Sequence, residues 1–208
     1  MIFDMEWEAW ATALTFVGMS NIGKSWLASR IAENIADAKM IEVDHYIREE
    51  LDQKSMSGFA DWLGQPNSPG YAEREARSLA IEERATLRAL DELPPCGILD
   101  TTGSVIYCPE SCARLVGETD VVYLRASEKQ RKTLEKLYFS NPKPLNWAGH
   151  FNQRNGESFE DAVIRCYPEL LDSRDQAYMD LADHVVCAEA IYATSDPHDL
   201  FNLVKPTR

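Results

Sequence analysis

Short apolar runs alternate along this chain with longer stretches in which apolar positions recur at helical spacing, and the alternation predicts the architecture. ATALTFVGM (Ala11–Met19) is a continuous apolar run ending in glycine, the form of a buried strand. From Lys24 onward Trp26, Leu27, Ile31 and Ile35 fall at helical spacing, predicting a helix over GKSWLASRIAENIADA. KMIEVD reads as a second strand whose end carries Glu42 and Asp44. YIREEL and FADWLG read as short helices, the latter ended by Gly64, and QPNSPG as a turn. YAEREARSLAIEERATLRALDEL predicts a long helix with Leu79, Ala80, Glu83, Leu87 and Leu90 around its inner face. CGILD is a third strand closed by Asp100, and PESCARLV a helix with Pro109 in its first turn. DVVYLRA is a fourth strand, followed by a helix, SEKQRKTLEKLYF, for which Ser127 is the expected N-cap. Ser140–Ser158 is polar, rich in Pro, Gly and Asn and without a clear period, as expected of a lid or binding loop. A helical pair broken at Pro168, a fifth strand HVVCA, and a last helix PHDLFNLV capped by Asp196 complete the chain.

Strands that are apolar throughout, rather than alternating, belong to parallel sheets covered on both faces, and such sheets bind ligands at the carboxyl ends of their strands. The length of 208 residues suits a single domain, with a lid insert at about residues 140–157. No internal repeat is visible, and no apolar run approaches the ~18 residues that span a bilayer. The first ten residues carry acids where an export signal carries basic residues, so a cytoplasmic protein without a membrane partner is expected. A net charge of −13 argues against a nucleic-acid partner. Between Arg125 and Asp175, however, nine basic residues face eight acidic ones, and this near-neutral segment could receive a polyanion. The cysteines (Cys96, Cys108, Cys112, Cys166 and Cys187) are scattered and are expected as free thiols, and no histidine completes a zinc site. No coiled-coil heptad or apolar stripe indicates an oligomeric state.

GMSNIGKS, Gly18 to Ser25, fits G-x-x-x-x-G-K-[ST] at every fixed position, follows a strand and opens a helix. Glycines let the loop wrap so that successive N–H groups point at phosphate oxygens, and the helix N-terminus adds its positive dipole end. Gly18, Ser20, Asn21, Ile22, Gly23, Lys24, Ser25 and Trp26 are therefore the candidate nucleotide-binding residues, with Lys24 reaching the β- and γ-phosphates and Ser25 binding Mg²⁺. Glu42, Asp44 and Asp100 end neighbouring strands on the same edge as this loop. Carboxylates there can hold Mg²⁺ or take a proton from an attacking hydroxyl.

With these residues in place, the chain resembles the shikimate kinases, within the P-loop small-molecule and nucleoside monophosphate kinases, from about Thr15 to Val204. FVGMSNIGKSWLASRIAENI is similar to the family's phosphate loop and first helix, and MIEVDHYIREEL to its second strand. GYAEREA resembles GFRxxEx and keeps Glu75; KPLNW stands where the lid has RPLL, placing Lys143 at a lid arginine. LLDSRDQAYMDLADHVV resembles LxxxRxxxYxxxADxxV and carries a substrate- or phosphate-binding arginine over to Arg174. The resemblance implies a three-layer α/β/α sandwich with a five-stranded parallel sheet in the order 2-3-1-4-5 and a lid. It also implies that Asp44 binds the substrate and is catalytic, and that Glu42 is a metal-side acid. Two positions depart from the pattern. The arginine of GFR is Ala72, and the glycine-rich turn after the third strand is DTTGS, Asp100–Ser104. Arginine is the natural bidentate partner of a carboxylate, so an acceptor other than shikimate is expected.

The expected reaction is phosphoryl transfer from ATP, with Mg²⁺, to a hydroxyl of a small polar metabolite. Lys24, Asp44 and Arg174 are the catalytic candidates, and Ser25, Glu42 and Asp100 the metal candidates. Asp44, Glu75, Thr101, Thr102, Gly103 and Arg174 are expected to bind the acceptor, with Ser104 beside them, and Lys143 and Arg154 to close as lid residues. Trp62, Tyr71 and Trp147 are either an aromatic wall or packing. Two other readings are open. One is a nucleoside or nucleoside monophosphate kinase, for which Arg74, Arg77 and Arg174 could hold a second phosphate; the other is a non-catalytic ATP-binding module.

Overall fold

The computed structural model describes residues 12–34, 38–51, 56–140, 144–194 and 196–204. Five strands, β1 (Ala13–Val17), β2 (Met40–Glu42), β3 (Ile98–Asp100), β4 (Thr119–Arg125) and β5 (His184–Cys187), form one sheet in the order β2-β3-β1-β4-β5. Every pairing is parallel. Helices α1 (Lys24–Ala32), α2 (Val43–Glu50), α3 (Met56–Leu63), α4 (Tyr71–Asp91), α5 (Pro109–Glu118), α6 (Glu128–Ser140), α7 (Phe159–Leu181), α8 (Ala188–Ala193) and α9 (Pro197–Val204) cover the sheet on both faces. β1 and β3 are buried at every residue, as the uninterrupted apolar runs require. The register sets Phe16, Asp100 and Glu42 side by side, so β1, β3 and β2 deliver their carboxyl ends to one edge. No helix among the described residues is long and apolar enough to cross a membrane, and the five cysteines are free thiols.

The expected caps are present. Ser127 accepts the Gln130 N–H at 3.2 Å while the Gln130 side chain accepts the Ser127 N–H at 3.0 Å, a reciprocal capping box opening α6. Asp196 accepts the His198 N–H at 2.8 Å and that of Asp199 at 3.3 Å before α9. Gly64 ends α3 with φ 76°.

Several sequence expectations are corrected. The end of the predicted first helix, with Ile35, lies outside the described residues, and Trp26 points outward, 41% exposed. Asp44 belongs to the first turn of α2, not to the strand end. The buried face of α4 is Tyr71, Ser78, Ile81, Glu82, Ala85, Thr86, Ala89 and Leu90, rotated from the Leu79–Glu83–Leu87 face that the larger aliphatics suggested. α7 is one helix through Pro168. Proline inside a helix costs about 3 kcal/mol, because it lacks the N–H and crowds the preceding turn. That cost is offset by the burial of Cys166, Tyr167, Leu170, Leu171 and Tyr178 on the inner face. Ile164, whose carbonyl loses its donor, is half exposed, where water can serve it, and the Pro168 carbonyl accepts Arg131 Nη2 at 2.8 Å.

The irregular segment 144–158 is also more firmly held than its polar composition suggested. Trp147 is 1% exposed and packs against Tyr138, Tyr167 and Phe151 with ring centroids 6.3, 6.1 and 5.2 Å away. Its neighbours are held by α4. Glu75 accepts the N–H groups of Trp147 and Ala148, and the Tyr71 hydroxyl donates to the Leu145 carbonyl at 2.6 Å. Truncating Trp147 to Ala is expected to cost ~3–5 kcal/mol in urea unfolding, as for an aromatic in a packed core. A loss below ~0.5 kcal/mol, the scale of a surface substitution, would show that this segment is no part of the cooperative core.

Candidate active site

The loop between β1 and α1 owes its shape to two positions that exclude a side chain. Gly18 has φ 145°, and a Cβ there would lie 2.8 Å from the Leu124 carbonyl oxygen. Gly23 has φ 104°, and a Cβ would run into the Tyr192 hydroxyl. That hydroxyl donates to the Ile22 carbonyl at 3.1 Å, and the Tyr192 ring stacks on Trp26 at 5.8 Å, so α8 braces the loop from outside. Asn21 adopts the left-handed conformation, with φ 63°. Lys24 opens α1 but carries its ammonium back into the loop, donating to the Gly18 carbonyl at 3.0 Å and the Met19 carbonyl at 3.2 Å. Three donors are available on an ammonium, so one remains for a ligand.

Around Lys24 the strand ends bring charges together. Burial lowers the Lys24 pKa, and Asp100 and Asp44 oppose that shift. Burial likewise raises Asp100 and Asp44, each held back in turn by Lys24. The neighbouring Ser25 hydroxyl also holds the Asp100 pKa down, and Asp100 Oδ1 is buried without a hydrogen-bond partner. Hard oxygen donors with one unsatisfied carboxylate oxygen fit Mg²⁺. Glu42, exposed and in register with Asp100, lies at the same edge.

The turn after β3 supplies the next layer. Thr101 donates to the Phe16 carbonyl at 2.8 Å, so its hydroxyl ties the turn to β1. Gly103 lies where a Cβ would be 3.0 Å from Ser20 Oγ and 3.5 Å from Arg174 Nη1, and the Tyr178 hydroxyl donates to its carbonyl. Arg174, 7% exposed on α7, donates from Nη2 to the Asn146 carbonyl at 2.7 Å and lies over the Tyr107 ring. Its Nε has no partner, a buried donor that a phosphoryl oxygen would satisfy.

Lys24, Ser25, Asp44, Asp100, Thr102, Gly103 and Arg174 are thus brought together. Glu75 is turned to the Trp147–Ala148 backbone, as described above. Arg154 is exposed, with its backbone N–H on Glu157 at 2.8 Å. Lys143 lies outside the described residues. Of the three aromatic candidates, Trp147 and Tyr71 are buried, while Trp62 is partly buried against Phe59. An open cleft of about 560 Å³ lies beside Met19 at the ends of β4 and β5, lined by Arg125, Ser127, Glu128, Arg131 and Asp175. A smaller hollow of about 270 Å³, lined by Thr12, Ala13, Leu90, Leu93 and Thr119, lies at the opposite, amino-terminal edge, away from all these groups.

One residue of the site escaped the sequence. Glu82, 3% exposed on α4, accepts the Thr102 hydroxyl on one oxygen and the Ser104 hydroxyl at 2.6 Å on the other. It also interacts electrostatically with Arg174, Asp44 and Lys24. The signal was present as Ser78, Ile81, Glu82, Ala85 and Ala89 at helical spacing, but only one of the five is a large apolar residue.

Burial pushes the Glu82 carboxyl up to about 7, against the hydroxyl bonds and Arg174, which lower it. An acid whose folded pKa lies above its unfolded value binds more protons in the native state. Its contribution to stability therefore falls as pH rises from the ordinary carboxyl range through about 7, and is constant above that. At ~1.4 kcal/mol per unit the loss is of order 3 kcal/mol. Urea unfolding between about pH 4.5 and 8 is expected to show this component in the wild type and to lack it in Glu82→Gln. Parallel curves for the two proteins would place Glu82 outside the titrating core.

No protein-family model matches the sequence, and no curated protein sequence does. Solved structures do. The shikimate kinase from Acinetobacter baumannii in complex with shikimate superposes with TM-score 0.61 at 18% identity, covering 94% of this chain and 92% of that one. The shikimate kinase from Bacteroides thetaiotaomicron gives 0.56 at 14%, covering 86% and 87%. That from Aquifex aeolicus gives 0.53 at 13%, covering 92% of each. Sheet order, phosphate loop and coverage agree: this chain has the shikimate kinase-like P-loop fold.

Proposed function

We propose that the protein is a kinase that transfers the γ-phosphoryl group of ATP to a hydroxyl of a small polar metabolite. The observation that carries this reading is the cluster of buried Lys24, Asp100 and Arg174 with half-buried Asp44 at one sheet edge, beside an intact phosphate loop. The remaining Lys24 N–H and the loop N–H groups would stabilise charge on the transferred group. Ser25 and Asp100, with Glu42 nearby, would hold Mg²⁺, which when bound neutralises charge on the β- and γ-phosphates. Asp44, raised by burial toward the working range of a general base, would orient the acceptor hydroxyl and take its proton. The acceptor oxygen forms a bond to the γ-phosphorus as the bond to the bridging oxygen breaks, and ADP leaves. Arg174 Nε would hold a phosphoryl oxygen between donor and acceptor. The nucleoside has room in the cleft beside Met19, whose volume is in the usual ligand range.

A nucleoside monophosphate acceptor would need cations for a second phosphate, and two of the three candidates are engaged elsewhere. Arg74 donates to the Leu63 carbonyl at 2.8 Å, the Pro69 carbonyl at 2.9 Å and Ser68 Oγ at 2.9 Å. Arg77 lies 5.7 Å from the Trp62 ring centroid.

The test is ATP consumption with Mg²⁺ against pools of polyols, sugars, cyclitols including shikimate, and nucleosides, with nucleotide binding measured by calorimetry. Lys24→Ala is expected to lower turnover by about 10²–10³-fold. Asp44→Asn is expected to lower kcat by about 10²–10⁴-fold while ATP affinity stays within about threefold. Tight ATP binding without turnover on any pool would instead favour the non-catalytic module.

A further inference from the structure

A guanidinium serves a reaction only when its planar fork is aimed, and a side chain as long and flexible as arginine's does not aim itself. What aims Arg174 is one peptide unit. Its Nη2 donates to the Asn146 carbonyl at 2.7 Å, and its guanidinium lies over the Tyr107 ring. The N–H of that same peptide, on Trp147, donates to Glu75 Oε1, which also accepts the Ala148 N–H at 2.9 Å. A trans peptide is planar, with its C=O and N–H pointing in opposite directions, and no peptide bond among the described residues is cis. The Asn146–Trp147 unit is therefore strung between α4 and α7, with the Glu75 carboxylate at one end and the Arg174 guanidinium at the other.

Three further observations show how firmly this unit is held. The Asn146 side chain is tethered at both ends, accepting the Ser78 hydroxyl on Oδ1 at 3.0 Å and donating from Nδ2 to Ser104 Oγ at 3.1 Å. The Tyr71 hydroxyl fixes the preceding carbonyl, that of Leu145, at 2.6 Å. Ala148 adopts the left-handed conformation, with φ 50°, which an L side chain disfavours and which persists only where the surroundings impose it. Two successive N–H groups turned onto one carboxylate oxygen impose it here. A negative charge at the N–H end also polarises the amide, making its carbonyl oxygen a stronger acceptor for the guanidinium. With Nη2 engaged by that carbonyl, the plane of the fork is set. So are the directions of Nε, buried without a partner, and of Nη1, which lies beside Gly103. We propose that Glu75 and Asn146 are positioning residues that act through the Asn146–Trp147 peptide to aim the Arg174 guanidinium into the site. The inference rests on the kinase reading and deepens it: both residues act through Arg174, not on the reacting atoms.

Three consequences separate this role from a merely structural one. Glutamine at position 75 keeps an amide oxygen that can accept both N–H groups, whereas alanine removes the acceptor altogether. If Glu75 acts through Arg174, its loss matters only while Arg174 is present. The third is local. Asp175, the next residue of α7, is held by a separate set of bonds, accepting Arg125 Nε at 3.0 Å, Arg125 Nη2 at 2.8 Å and the Tyr123 hydroxyl at 2.6 Å. A disturbance of α7 as a whole would be felt at Arg125 and Arg174 alike, and a loss of aim at Arg174 alone.

The first measurement is NMR of the full chain carrying isotope-labelled arginine, the Arg174 Nε–H signal being identified by its absence in Arg174→Lys. Glu75→Ala and Asn146→Ala are each expected to speed exchange of this hydrogen with solvent by at least about tenfold and to leave that of Arg125 unchanged. Glu75→Gln should stay within about threefold of the wild type. The second is turnover of ATP with the acceptor pool that supports it, in a double-mutant cycle. Glu75→Ala should lower kcat/KM for the acceptor by about tenfold and leave ATP affinity within about threefold. In an Arg174→Ala background the same substitution should change turnover by less than about twofold. Asn146→Ala, which removes no charge, carries the same expectations and keeps the test usable if Glu75→Ala does not fold. An unchanged Arg174 Nε–H in the alanine variants, equal changes at Arg125 and Arg174, or the whole loss of turnover persisting without Arg174 would overturn the assignment. A wild type that binds no nucleotide would instead sink the kinase reading, and the exchange measurement would still decide whether Glu75 and Asn146 hold Arg174.

Discussion

Lys24 carries its charge to a position only 7% exposed at the carboxyl edge of the sheet, and the arrangement around it follows from the cost of doing so. A buried ammonium is tolerated when carbonyls accept its protons and carboxylates balance its charge. The loop supplies the first through Gly18 and Met19, and β3 and α2 the second through Asp100 and Asp44. Those acids are themselves raised by burial and held back by Lys24, so neither partner is stable in its place alone. The parallel register makes this mutual dependence possible, because it sets Phe16, Asp100 and Glu42 in one row.

The features legible in the sequence are those with a strong local cause. The phosphate loop could be read because its glycines answer to backbone angles and close contacts that exclude a side chain. The strands were legible because a doubly covered sheet demands continuous apolar runs. Ser127 and Asp196 were legible because capping is a local hydrogen bond. What could not be read had a tertiary cause. The face of α4 was misplaced because large aliphatics were taken as the inward side, whereas Ser78, Ala85 and Ala89 turn inward to give room to the network around Glu82. Pro168 was read as a break because local propensity disfavours it, and the packed inner face of α7 overrides that preference.

Glu75 and Thr101 show a related distinction. Both were marked as acceptor-binding, and both are close to the site in the chain. Part of their hydrogen-bonding capacity goes to backbone groups: Glu75 Oε1 accepts the N–H groups of Trp147 and Ala148, and the Thr101 hydroxyl gives its hydrogen to the Phe16 carbonyl. A motif fixes which residue type stands at a position, but hydrogen-bond satisfaction in the folded chain decides what that residue can still offer to a ligand.

The same accounting links the irregular segment to the chemistry. Asn146 is 4% exposed and has three engagements: its side chain with Ser78 and Ser104, and its carbonyl with Arg174. Leu145 on one side and Trp147 on the other are fastened to Tyr71 and Glu75. A single stretch of chain therefore positions both the guanidinium proposed to hold the phosphoryl group and the Ser104 hydroxyl of the turn after β3. Buried polar networks are costly when only partly satisfied, so a change at Ser78, Glu82 or Asn146 would be felt by every other member. The shape of the turn after β3 is then a property of α4 and the segment docked on it as a unit, rather than of the turn's own residues.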